Sequence, residues 1–242
     1  MMERTGKLAT ILKNQFKIEV GDRVIIYMPM VIEAAIAMLA CARIGAIHSV
    51  VFGGFAAKEL ANRIDDCHPK LIIVSSCGIE PGKHIKYVPI VEQALGFCTK
   101  VINAQKQIPR LLIQRNELDG KLKEEGPLDK TLYFDYESLM EKEKTVAECV
   151  ALKSNHPLYI LYTSGTTGQP KGIVRDTGGT VVALNFCMEN VFNVHKGSVH
   201  FATSDVGWVV GHSFIVYGPL IRGATCVFFE GKPVVPNAGI LW

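Results

Sequence analysis

Residues 163–172 read Thr163-Ser164-Gly165-Thr166-Thr167-Gly168-Gln169-Pro170-Lys171-Gly172, a stretch dominated by donors with one cation. Hydroxyls at Ser164, Thr166 and Thr167 can each donate a hydrogen bond, and Lys171 brings a full positive charge. Gly165, Gly168 and Gly172 let the backbone double back so that its N–H groups point inward. Such a set suits an anion with several oxygens, and a polyphosphate fits best. The P-loop spacing does not hold here. Counted from Gly165, its second glycine falls on Pro170, and Gly172 rather than Ser or Thr follows Lys171. Pro170 also fixes φ and removes a donor just ahead of the lysine, so no helix N-terminus begins there. A plain polar hairpin turn is the bland alternative, yet such a turn needs neither the hydroxyls nor the lysine.

Something must deliver this loop to a site, and the apolar run at 158–162 does so as a buried strand. Earlier in the chain, Leu8, Ile11, Leu12 and Phe16 fall at helical spacing behind Thr5 as an N-cap. Residues 24–42 carry only Glu33 as an ionised side chain, which is long enough and apolar enough to read as a membrane span. Pro29 and Glu33 near the middle argue otherwise, since a buried carboxylate there costs roughly 2.5–3.5 kcal/mol. The stretch splits into a strand at 23–28, a helix at 31–43 closed by Gly45, and a strand at 46–52. A helix at 57–67 stopped before Pro69, a strand at 71–75, a glycine- and proline-punctuated loop at 78–83 and a helix at 88–95 follow. Short strands at 100–104 and 110–114 precede a charged surface segment at 116–130 and a helix at 136–144. Beyond the loop come a helix at 180–190 and a strand at 199–203. Alternating strands and helices, with strands apolar on both faces, predict an α/β fold of largely parallel sheets covered by helices.

The chain has 242 residues, 48% hydrophobic and 20% charged, with a formal charge of +3. That charge is too small to argue for nucleic acid or an acidic membrane surface. Seven cysteines without a C-x-x-C pair point to reduced, buried thiols in a reducing compartment. Cys67, His68 and Cys77 come nearest to a metal cluster, and no metal site is predicted from them.

The stretch from Tyr162 to Gly172 resembles the signature loop of the adenylate-forming acyl-CoA synthetases. A second block, Ser204-Asp205-Val206-Gly207-Trp208-Val209-Val210-Gly211-His212-Ser213-Phe214, with Tyr217-Gly218-Pro219-Leu220 and Phe229-Glu230-Gly231-Lys232-Pro233, is similar to the acetyl- and propionyl-CoA synthetase branch, propionate-preferring type. The resemblance runs from about Gly21 to Pro233. It implies an enzyme that uses ATP, Mg2+ and coenzyme A to activate a short carboxylate, and no nucleic acid. Thr163, Ser164, Gly165, Thr166, Thr167, Gly168 and Lys171 would hold the ATP phosphates. Trp208, Val209, Val210 and Gly211 would line the acyl pocket, with Gly207 and Gly211 leaving room for a small guest. Val210 stands where acetate users often carry threonine. His212 would either touch the nucleotide or satisfy a buried hydrogen bond.

Coenzyme A contacts would come from Glu80, Pro81, Gly82, Lys83, Val210 and Val234, although relatives carry arginines in the first of these loops. Lys83 can serve as a point charge, whereas Glu80 would repel phosphate. The family's adenine- and magnesium-binding motif, ribose aspartate, hinge and small C-terminal domain with its catalytic lysine would lie beyond Trp242. The expectation is therefore a partial AMP-binding N-terminal domain with no certain catalytic residue, inactive as a ligase alone. The alternative is a catalytically dead remnant acting as a nucleotide-binding or interaction module. Relatives of this type are mitochondrial, while residues 1–17 show no Arg/Ser-rich transit pattern, so the matrix is expected by resemblance and the cytoplasm is the alternative.

Overall fold

The computed structural model describes residues 1–101, 103–115, 128–163, 170–232 and 234–241. Helix α1 (Met2–Asn14) starts earlier than Thr5 suggests, so Thr5 lies inside it, buried with its hydroxyl unpartnered. Packing of its Leu8 and Leu12 into the core, rather than a capping hydroxyl, places this helix.

The apparent membrane span divides as its proline and carboxylate require. Strand β1 (Arg23–Tyr27) ends before Pro29, and α2 (Ile32–Ile44) closes on Gly45, whose φ of 74° is the left-handed cap that glycine adopts without strain. Strand β2 (Ile47–Val51), helix α3 (Ala57–Cys67) and strand β3 (Leu71–Ser75) follow. Where a loop was expected at 78–83, β4 (Cys77–Glu80) and β5 (Lys83–Lys86) form an antiparallel hairpin. Its two-residue tip is Pro81-Gly82, with φ of 74° at Gly82, the pairing a type II turn calls for.

Helix α4 (Tyr87–Phe97) leads to a second correction, because no strand forms among the described residues of 100–104. The Asp65 carboxylate instead accepts hydrogen bonds from the backbone N–H groups of Thr99, Lys100 and Val101 and from the Thr99 hydroxyl. Donors held this way cannot serve a sheet ladder, and the chain turns into a short helix α5 (Ala104–Gln107). Strands β6 (Arg110–Ile113) and β7 (Tyr133–Asp135) and helix α6 (Tyr136–Lys142) complete this half; most of the charged segment, 116–127, lies outside the described residues.

Strand β8 (Pro157–Thr163) and strand β9 (Lys171–Asp176) precede α7 (Thr177–Asn190). The seven strands are ordered β7-β6-β3-β1-β2-β8-β9, all parallel except β9. Alternation along β1 sends Val24 and Ile26 to the core under α1 and α2, and Ile25 and Tyr27 to the core under α3 and α4. Both faces are covered, which is why these strands read as unbroken apolar runs. Beyond α7, β10 (Val199–Phe201) pairs in parallel with β11 (Thr225–Val227) as a separate two-stranded sheet. Between them the backbone winds through α8 (Val209–Gly211), a π-helical stretch (His212–Tyr217) and α9 (Gly218–Ile221). Among the cysteines, Cys41, Cys67 and Cys77 are buried as expected, whereas Cys149 is exposed; none of the seven is in a disulfide.

Candidate functional site at the carboxyl edge of the sheet

Strand β1 has β2 on one side and β3 on the other, and its helix α2 covers the face opposite α3 and α4. Open α/β sheets place ligands outside the carboxyl ends of strands at such a reversal. Cavities open there. One, of about 120 Å3, is lined by Pro29 and Met30 after β1, Phe52 to Gly54 after β2, and Ile79, Ile85 and Tyr87 around the hairpin. It adjoins a 510 Å3 cavity between the hairpin tip and Phe229 to Lys232, and a 310 Å3 cavity beside Thr203, Asp205 and Trp208.

Strand β8 runs parallel to β2, so its end at Thr163 emerges at this same edge. Thr163 pairs with Lys171 at the head of the β8–β9 hairpin. Ser164, Gly165, Thr166, Thr167 and Gly168 lie outside the described residues. The phosphate-loop candidate is thus carried by a hairpin in its backbone, and its chemical character rests on side-chain type. At its base the Tyr162 hydroxyl donates to Asp66 at 2.7 Å, with the Arg63 guanidinium 5.4 Å from the Tyr162 ring, tying β8 to α3.

Trp208, Val209 and Val210 are 43% to 48% exposed, so they lie at the surface rather than in the core, and of the three only Trp208 lines the 310 Å3 cavity. Trp208 rests against Phe52 and Phe55, with ring centroids 5.6 and 5.9 Å away. The room expected beside Gly207 and Gly211 is not there. A Cβ on Gly207 would meet the Phe52 Cα at 2.7 Å, and one on Gly211 would meet the Asp205 carbonyl oxygen at 2.0 Å. Both glycines serve close backbone packing, which fixes where the Trp208 wall stands. Asp205 lines the groove and accepts the Gly207 N–H at 2.7 Å; burial raises its pKa despite that hydrogen bond.

His212 takes the buried alternative. Its Nδ1 donates to the Trp208 carbonyl at 3.2 Å, and its ring lies 4.6 Å from Tyr159 and 5.3 Å from His48. Burial lowers its pKa to about 4. Burial and the neighbouring His212 push His48 well below the ordinary histidine range as well, and His48 Nε2 lies 2.6 Å from the Tyr217 hydroxyl.

Glu80, Pro81, Gly82 and Lys83 form the hairpin tip and line the 510 Å3 cavity. Val234 is exposed beside Val235, which also lines it, whereas Val210 is exposed and is not among the residues that line it. The repulsion expected of Glu80 is met by two lysines, Lys83 at 3.5 Å and Lys232 at 3.4 Å. Partial burial works against it, but Lys232 and Lys83 hold the Glu80 carboxylate below its ordinary range. Lys232 escaped sequence reasoning, as did Glu230, which accepts both Arg115 guanidinium N–H groups at 2.5 and 2.7 Å and the Ile79 N–H at 3.3 Å. Both residues sit in the 229–233 motif; what was illegible was the partner, more than 100 positions away.

The model of the AMP-binding enzyme family matches residues 1–242. The chain belongs to that family. It is 50% identical over 240 residues to acyl-CoA synthetase short-chain family member 3, mitochondrial, of Bos taurus, covering 99% of this chain and 33% of that protein. It is 42% identical over 242 residues to acetyl-coenzyme A synthetase of Xanthomonas axonopodis, covering 100% and 36%. Among solved structures, acetoacetyl-CoA synthetase from Streptomyces lividans superposes with a TM-score of 0.81 at 26% identity, over 98% of this chain and 34% of that one. The chain therefore spans about a third of the relatives it matches, and its mixed, mostly parallel α/β fold is that of the adenylate-forming enzymes. Among the described residues, no helix is long and apolar enough to cross a membrane, and no three His, Cys, Asp or Glu side chains gather to ligate a metal ion.

Proposed function

We propose that this chain supplies the phosphate-gripping loop and acyl wall of a short-chain acyl-CoA synthetase. The observation that carries this reading is the shared edge: β8 and β9 bring Thr163 and Lys171 to the side of the sheet where the groove beside Trp208 opens, with Val209 and Val210 following Trp208 in the chain. A short carboxylate oxygen attacks the α-phosphorus of ATP, the bond to pyrophosphate breaks, and an acyl-adenylate forms. The coenzyme A thiol then attacks the acyl carbon and displaces AMP, leaving a thioester. Thr163, Ser164, Gly165, Thr166, Thr167, Gly168 and Lys171 grip the β- and γ-phosphates by charge and hydrogen bonds, the kind of positioning that dominates phosphoryl transfer. Magnesium screens the phosphates when the nucleotide carries it, and the described residues offer it no ligand set.

Gly211 supports the acyl wall from beneath. Acetate and propionate differ by one methylene, worth about 1–3 kcal/mol in an apolar pocket, so the proposed propionate preference is partial. Coenzyme A runs past Glu80, Pro81, Gly82 and Lys83 toward Val234, with Val210 at the junction with the acyl group. Neutralisation of Glu80 by Lys83 and Lys232 supports that path. The chain is a partial N-terminal domain in this reading, working in the mitochondrial matrix, a placement supported by the word mitochondrial in its bovine relative's name, and 1–242 does not complete the ligase alone.

Equilibrium dialysis of the 242-residue chain against ATP tests the nucleotide site. Lys171→Ala is expected to weaken binding by about 10- to 100-fold, the value of one charge-assisted hydrogen bond. No binding at millimolar ATP, or an unchanged affinity in the variant, rejects the site. Acyl-CoA formation by 1–242 at a rate within about tenfold of a full-length relative would reject its incompleteness.

A further inference from the structure

The hairpin of β4 and β5 stands outside the seven-stranded sheet, and two side chains of the segment 229–232 hold it. Glu230 accepts the Ile79 N–H at 3.3 Å and is itself fixed by both Arg115 guanidinium N–H groups. Lys232 reaches the Glu80 carboxylate at 3.4 Å, and Lys83, paired with Glu80 across the Pro81-Gly82 turn, reaches it at 3.5 Å. Among the described residues, the ionisable side chains lining the 510 Å3 cavity are Glu80, Lys83, His84, Glu230 and Lys232, and each lysine already has a carboxylate beside it.

Two ammonium groups open toward a cavity are what a phosphate monoester seeks, since it brings acceptor oxygens and close to two negative charges. Here a carboxylate of the same hairpin takes both. A phosphate entering between Lys83 and Lys232 exchanges one set of charged contacts for another and meets the repulsion of Glu80 as well. Glu80 cannot withdraw, because its backbone is paired with Lys83 and the neighbouring Ile79 N–H is held by Glu230. We propose that Glu80 stands in for the 3′-phosphate of coenzyme A, so that the hairpin takes the acceptor without reading that phosphate and binds coenzyme A and dephospho-coenzyme A alike. The inference rests on the course of coenzyme A along this hairpin proposed above. The two ligands share the pantetheine arm, the diphosphate and the adenosine, so the ratio of their affinities isolates the one group that Glu80 replaces.

Titration of the isotope-labelled 242-residue chain with each ligand, followed by nuclear magnetic resonance at the amides of Ile79, Glu80, Gly82, Lys83 and His84, measures that ratio. The two affinities are expected to agree within about twofold, less than one surface ion pair contributes. Glu80→Gln releases both ammonium groups, and coenzyme A is then expected to bind about fivefold more tightly than dephospho-coenzyme A, the scale of an exposed ion pair. That advantage is expected to vanish in about 0.5 M salt, which screens exposed charges, and on adding Lys232→Gln to the same chain. Amide resonances of the seven-stranded sheet report that the variants fold. A native chain that prefers coenzyme A by about fivefold or more, or a ratio that stays at one in Glu80→Gln, overturns the proposal while the course of coenzyme A along the hairpin stands. Neither ligand moving these resonances at millimolar concentration overturns both.

Discussion

Lowering the pH from 6.5 to 4 is expected to reduce the unfolding free energy by about 3 kcal/mol through His212 alone. Burial holds the folded imidazole near a pKa of 4, against an ordinary value of 6.5 in the unfolded chain. Between those values the unfolded chain binds a proton that the folded chain refuses. Stability is therefore full above pH 6.5, falls through the window, and loses nothing more from this residue below pH 4. The groups packed against the ring are His48, Tyr159 and the Trp208 carbonyl, none an acid that could stabilise imidazolium as a counter-ion. His48 shifts the same way and adds to the loss. Urea unfolding at several pH values, compared with His212→Gln, isolates the contribution. Parallel pH profiles for the two proteins would show that His212 is not the cause.

Gly211→Ala should cost about 3 kcal/mol and lower the melting temperature by about 10 °C, although propensity points the other way. Gly211 has φ of −65° and ψ of −46°, and at such a helical position alanine ordinarily gains about 0.5–1 kcal/mol over glycine. Here the new methyl would stand 2.0 Å from the Asp205 carbonyl oxygen and 2.7 Å from the Val206 Cα, both backbone atoms. That carbonyl also accepts the Trp208 N–H at 3.0 Å, so making room breaks the turn that positions Trp208. Calorimetry on the two chains decides the matter, and an equal or higher midpoint in the variant would refute this packing.

The strand before the donor-rich stretch and the alternation of strands and helices were legible because each depends on neighbours in sequence. Helix 57–67 and strand 71–75 came out with the boundaries expected, bracketed by Pro69 and a β-branched run. Reading failed where a distant group took over the local choice. Asp65 captured the donors of 99–101 and removed a strand; core packing carried α1 past its supposed cap. The two-residue tip at Pro81-Gly82 was visible as a turn, but its polar arms carried no apolar alternation to announce a hairpin.

Sequence alone determined the strand–helix alternation from β1 to β3, the α/β class and the family, since periodicity, backbone preference and side-chain type are properties of short stretches. Only the tertiary structure decided that Gly207 and Gly211 are filled rather than open, that Lys232 stands across from Glu80, and that α7 and β10–β11 present apolar faces to solvent. The Gly207–Phe52 and Lys232–Glu80 contacts join residues more than 100 positions apart and leave no periodic trace in either partner, while the filling at Gly211 comes from the tight backbone turn over Asp205 and Val206.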